Sequence, residues 1–219
     1  MSLIQRQSRP LKRSVDHLRD DRLFIIACDD TYAPKQYFDS YKITRVQVHV
    51  IPTEDGSSSA PHVLDRLLNV DHEADDELWL LLDTDHYTTK AHLGTYIKAI
   101  RDAKKRGVKV ALSKPCFELW LLLHHAEESE VKALKNARQT EIALRKKLTR
   151  YNKTNLDAKH FPYESVVAAC QRAKKLDKSI KGGDIPNGNT SRVYLIWNSI
   201  IAKAIQSQLP PAFHKMIDG

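Results

Sequence analysis

The segment from Trp79 to Tyr87, WLLLDTDHY, is the strongest constraint on what this chain can fold into. An apolar run from Leu78 to Leu82 stops at Asp83, and a second carboxylate, Asp85, follows two positions on. A short apolar run without polar alternation reads as a strand buried on both faces of a parallel sheet. Ligands of open α/β sheets bind at the carboxyl ends of the strands, so two acids fall where chemistry is usually done. Residues i and i+2 of an extended chain share one side, which lets Asp83 and Asp85 reach one hard cation. An Asp-rich turn that merely ends a strand reads the same in isolation.

The flanking pattern repeats strand and helix. Leu23 to Cys28 is a short apolar strand that ends at Asp29-Asp30. Pro34 suits the first turn of a helix to about Lys42, and Thr44 to Ile51 is β-branched and strand-like. A Ser/Gly loop leads to a helix near Pro61 with Val63, Leu64, Leu67 and Leu68 on its apolar face. After the Asp83/Asp85 strand, a helix is expected from about Thr89 to Arg106, with Gly107 as its cap, and then a strand from Val108 to Leu112. Alternation of this kind predicts a parallel sheet with helices on both faces.

Beyond Ser113 the chain turns helical. The expected helices are Cys116 to Leu123, a long charged one from Glu127 to Leu148, Tyr163 to Leu176, and a last one from about Thr190 or Ser191. Lys178 to Asn189 reads as a loop. The expected layout is therefore a basic flexible arm over residues 1–21, an α/β core over 22–125 and a helical extension over 126–219 packed on that core. Its premise is that Cys116 to Leu123 is too apolar to face water.

Charge narrows the partners. The formal net charge is +8 and the pI is about 9.3, which favours a polyanion such as nucleic acid over a membrane surface. Arg145, Lys146, Lys147, Arg150 and Lys153 supply a candidate basic rim; a solvated helix end is the competing reading for the first four. Arg172, Lys174, Lys175 and Lys178 allow the same two readings. Three widely spaced cysteines and no CxxC pair fit a reducing compartment. No signal core and no 18-residue apolar run occur in the sequence, so a cytoplasmic, non-membrane protein is expected. The histidines lack zinc-site spacing, and there is no glycine-rich phosphate loop for ATP hydrolysis.

Three acidic clusters follow strands or open the next helix: Asp29-Asp30, Asp83 with Asp85, and Glu118. Acids brought to one sheet edge repel each other unless a cation sits among them. Mg²⁺, or Mn²⁺ in its place, suits such oxygens. It polarises phosphoryl oxygens and acidifies bound water, and two ions about 3.5–4 Å apart can clamp a phosphodiester.

The segment SKPCFELWLLLHH, Ser113 to His125, resembles the signature of RloB-like proteins, usually Ser-Asn-Pro-x-Phe-Glu-x-Trp-x-Leu-Leu-His. The acid after the first strand, Tyr37-Phe38, the Asp-x-Asp at 83 and 85, and the late IPNGNTSRVYLIW agree in order. The likeness spans roughly Leu23 to Ile201. That family is similar to Toprim domains, in which a Glu after the first strand and an Asp-x-Asp bind Mg²⁺. The resemblance implies a Toprim-like sheet, metal ligands at Asp83 and Asp85, and Asp29 in the acid/base position. It makes Glu118 a further pocket carboxylate; Tyr151 and Lys153, in RYNKTN, resemble a family Tyr-x-Lys piece and read either as a phosphate contact or as a loop cap. It also implies a nuclease of bacterial anti-phage or abortive-infection loci, with an ATPase partner in related systems. The departures are specific. DDTYAP stands where Glu-Gly-Glu-x-Thr-Glu is usual, Lys114 replaces Asn, and His125 replaces Phe. They keep open a catalytically degenerate subunit that binds nucleic acid or an ATPase. A phosphoryl transferase acting on a small nucleotide shares the same pocket.

Overall fold

The computed structural model describes residues 21–54, 56–85, 92–180 and 183–217. Most of the expected basic arm, and His86 beside the Asp pair, lie outside them.

Four parallel strands form the body of the sheet: β1 (Arg22–Cys28), β2 (Val46–Ile51), β3 (Glu77–Asp83) and β4 (Lys109–Lys114). A two-residue strand, β5 (Thr190–Ser191), adds antiparallel to β4, and the spatial order is β2-β1-β3-β4-β5. Successive side chains of a strand point to opposite faces, and the apolar residues divide accordingly. Phe24, Ile26, Trp79, Leu81 and Ala111 enter one core. Ile25, Ala27, Leu80, Leu82 and Leu112 enter the other. This explains why β1 and β3 read as continuous apolar runs.

Helices α2 (Ala60–Leu68) and α3 (Leu93–Lys105) supply Val63, Leu64, Leu67, Tyr96, Ala99 and Ile100 to the second core. The glycine expected to close α3 does so: Gly107 follows the last turn at φ +76°, a conformation that costs a Cβ-bearing residue energy.

The first core is larger, and the C-terminal half builds much of it. It joins α1 (Ala33–Asp39) to α4 (Glu118–Leu123), α7 (Tyr163–Ser179) and α8 (Val193–Lys203). All six residues of α4 are buried, which is why the stretch is apolar all round. Each of its five apolar side chains, fully removed from water, contributes about 1.5–3 kcal/mol.

The long helix expected from Glu127 to Leu148 is two helices, α5 (Glu128–Lys132) and α6 (Ala137–Lys147). One capping signal opens α5 and a second separates α6 from it. Glu127 and Glu130 form a reciprocal capping box on α5. Asn136 accepts a hydrogen bond from the Gln139 amide at 3.0 Å and starts α6 afresh. The last expected helix also starts later, at Val193, because Thr190 and Ser191 pair with Lys114 and Ser113 as β5. Short 3₁₀ turns at Gln206–Gln208 and Pro211–Phe213 and a final turn, α9 (His214–Ile217), follow; periodicity is too short there to foretell them. No helix of the described residues is long and apolar enough to cross a membrane.

Candidate active site

The chain leaves β1 toward β2 on one side and β3 toward β4 on the other, so strand order reverses between β1 and β3. Open α/β sheets bind ligands at such a switch point, outside the carboxyl ends of the strands. Asp29 directly follows β1 and Asp83 ends β3, on the two strands that flank that point.

The two acids are in contact. Asp29 Oδ2 accepts the Asp83 amide N–H at 3.0 Å. That commits one of its oxygens and leaves Oδ1 as the other acceptor. The Asp-x-Asp turn is fixed from β4's side: the Thr84 amide reaches the carbonyls of Ser113 and Pro115 at 3.1 Å each, and the Asp85 amide reaches Pro115 at 3.1 Å. Tyr96 of α3 donates its hydroxyl to the Asp83 carbonyl at 3.0 Å. Bonds to main-chain groups, from Tyr96 and from the segment after β4, thus fix the path of the turn.

Electrostatics set these acids apart from ordinary surface carboxylates. Poor hydration of its site, opposed by the Asp83 amide bond and joined by repulsion from Asp30 and Asp85, raises the Asp29 carboxyl to about 7. Burial also drives Asp83 well above the usual carboxylate range, with Asp29, Glu118, Asp85 and Asp30 adding to the push. Acids so arranged resist ionising together, and a divalent cation would relieve them. Carboxylate oxygens on a rigid turn suit Mg²⁺ or Mn²⁺, which take one or two such ligands and keep water for the rest. Among the described residues no group of three or more His, Cys, Asp or Glu side chains is placed to hold a metal ion. An ion held here would have one or two carboxylates from the chain and water for its other ligands.

The remaining acids are already engaged. Asp30 caps α1, accepting the amides of Tyr32 and Ala33 at 2.7 and 3.1 Å through Oδ1. Its Oδ2 pairs with Lys153 Nζ at 2.6 Å. Glu118, at the first turn of α4, pairs with the same ammonium at 3.2 Å and accepts the Tyr151 hydroxyl at 3.3 Å. Asp29, Asp30, Asp83 and Lys153 line one cleft of about 390 Å³, together with Ser58 and Thr154.

The basic residues divide. Lys153 is inside the cleft. Arg145 pairs with Glu141 at 2.7 Å, reaches the Tyr151 carbonyl at 3.2 Å and lies over the Tyr151 ring. Lys147 pairs with Glu130 at 2.7 Å. Lys146 and Arg150 are exposed at the same helix end.

Sequence reading missed three contributors. The Pro115 carbonyl brackets the Asp-x-Asp turn, Tyr96 anchors it, and Gln36 ties the Lys153 loop to α1 through the Lys153 carbonyl (3.1 Å) and the Leu156 amide (2.8 Å). None carries a local signal, because each partner is distant in the chain.

No curated protein and no solved structure matches this chain significantly. A family model does match, over residues 24–199, and the chain therefore belongs to the family described as RloB-like protein.

Proposed function

We propose that this chain is a Mg²⁺-dependent nuclease, hydrolysing phosphodiester bonds of DNA or RNA in bacterial defence against phage. The observation that carries the reading is the meeting of Asp29, Asp83 and Lys153 in one cleft at the switch point of the sheet. Asp83 and Asp85 are the residues that would hold the ion. Mg²⁺, or Mn²⁺, bound there supplies positive charge against a phosphoryl oxygen and acidifies a water.

The chain's own groups do the rest. Asp29 Oδ1, the oxygen not used by the Asp83 amide, orients the attacking water and takes its proton. A carboxyl raised to about 7 is well matched to that task near neutral pH. Glu118 supports the pocket by holding Lys153, whose ammonium attracts the phosphate. Outside the cleft, Arg145, Lys146, Lys147 and Arg150 form a basic helix end against which a backbone can run. Defence is the setting implied by RloB-like membership, and an ATPase from the same locus is the partner that would fit.

One observation favours a second reading. Asp29 is a short acid with one oxygen spent on the backbone, which suits a degenerate subunit that binds nucleic acid or an ATPase and leaves cutting to another chain. Cleavage of mixed DNA and RNA substrates with Mg²⁺ or Mn²⁺ separates the two. Loss of groups that merely support ligands costs about 10–100-fold, so Asp83→Asn with Asp85→Asn is expected to lower cleavage at least about 100-fold. Undiminished cutting by a clean preparation of the double variant would sink the nuclease assignment. Metal-independent binding with no cutting by either protein would establish the second reading.

A further inference from the structure

The acids of this edge fall into two groups with different partners. Asp29, Asp83 and Asp85 belong to the ends of β1 and β3. Asp30 and Glu118, only 9% and 5% exposed, share the Lys153 ammonium at 2.6 and 3.2 Å. The two groups meet in one cleft, which Asp29, Asp30, Asp83 and Lys153 line together.

Lys153 is built in rather than loosely placed. Its loop is tied down at both ends. Arg145 holds the Tyr151 carbonyl at 3.2 Å, and the Gln36 amide spans the Lys153 carbonyl and the Leu156 amide at 3.1 and 2.8 Å. The Tyr151 hydroxyl meets the same Glu118 oxygen as the ammonium does. Burial disfavours a charged amine, yet Glu118 and Asp30 outweigh it and hold Lys153 protonated above the usual lysine range.

We infer that the Lys153 ammonium is a tethered cation that occupies the second cation place of this cleft, so the site takes one divalent ion rather than two. The inference rests on the reading that Asp83 and Asp85 hold the first. Two-metal sites clamp a phosphodiester between two divalent ions about 3.5–4 Å apart. Here one of the two positive centres is supplied covalently, on a loop from the C-terminal half, between the Asp30 and Glu118 carboxylates. Such a charge needs no metal supply and is present before substrate arrives.

The test is the number of Mn²⁺ ions bound per full-length chain at pH 7.5, read from the electron paramagnetic resonance of the free ion. One ion is expected for the wild type and for Lys153→Arg. Two are expected for Lys153→Ala, where Asp30 and Glu118 become free to bind, and one again when Asp30→Asn is added. Circular dichroism reports whether each variant is folded. Two ions in the wild type would overturn the inference and leave the metal reading intact, and this needs no variant to fold. One ion in folded Lys153→Ala would overturn it as well, because the vacated carboxylates would then not be a cation place. No ion in the wild type would overturn both.

Discussion

His124 shows how much of this molecule depends on partners that the local sequence does not reveal. It ends the apolar helix α4 beside His125, and spacing alone places it in no metal site. In the structure it is buried, with Nδ1 2.8 Å from the Ser165 hydroxyl and Nε2 3.2 Å from the Tyr37 hydroxyl. Ser165 donates to the Pro162 carbonyl, and Trp197 Nε1 donates to the Tyr37 oxygen at 3.1 Å. Every proton then has a place if His124 is neutral with its hydrogen on Nδ1. Burial, with His125 and Arg172 adding to it, holds its pKa well below 6.5. The unfolded chain therefore takes up this proton first as pH falls. Stability from this group is present above pH about 6.5 and is lost below it, down to the depressed folded pKa. His124→Gln is expected to lower unfolding free energy by about 1–3 kcal/mol at pH 8 and to flatten the loss between pH 6.5 and 5. Urea denaturation across that range checks both; an acid limb as steep as the wild type's would contradict the assignment.

At the scale of elements, caps and switch points decide more than periodicity does. The strands and α2 announce themselves by apolar pattern, and Gly107 marks the end of α3. The break between α5 and α6 is harder to see, because the whole stretch is charged and rich in helix-forming residues, while Asn136 interrupts from within. Asn136→Ala is expected to cost about 1 kcal/mol, or about 2–4 °C in Tm, with Asn136→Asp close to wild type. Equal melting of wild type and Asn136→Ala would mean that packing on α4, rather than the cap, sets the start of α6. The β5 strand was unreadable for a different reason. Two residues carry no period, and Thr190-Ser191 becomes a strand through its pairing with β4 from more than 70 positions away.

For the whole molecule, sheet order makes the acids of a sequence into a site. Asp29 and Asp83 are 54 positions apart, and the reversal of strand order between β1 and β3 brings them into hydrogen-bond contact. Their placement could be argued from the apolar run that stops at Asp83, since parallel strands end on one edge. The place of Lys153 between Asp30 and Glu118 could not, because those ion pairs depend on a loop returning from the helical half to the end of β1. The structure thus sets the +8 net charge against a cleft whose own balance is acidic. On the proposed function, a cation complements that cleft and nucleic acid the surface around it.

The measurement that tests this most directly is the melting temperature with and without Mg²⁺ at pH 5 and pH 8, for wild type and for Asp83→Asn with Asp85→Asn. Because the Asp29 carboxyl is raised to about 7, the folded cleft keeps protons that the unfolded chain, with ordinary carboxylates, has already released. Without metal, its contribution to stability is present below pH about 4 and is lost as pH rises through 7. A bound cation restores what those charges cost. At a free concentration of 100 times Kd, Mg²⁺ stabilises by about 2.7 kcal/mol, which is about 5–11 °C for a chain of this size. The expected result is a shift of that order at pH 8, a smaller one at pH 5 where protons compete, and none in the double variant. No shift in the wild type, or an equal shift in the double variant, would contradict a divalent-cation site at Asp83 and Asp85.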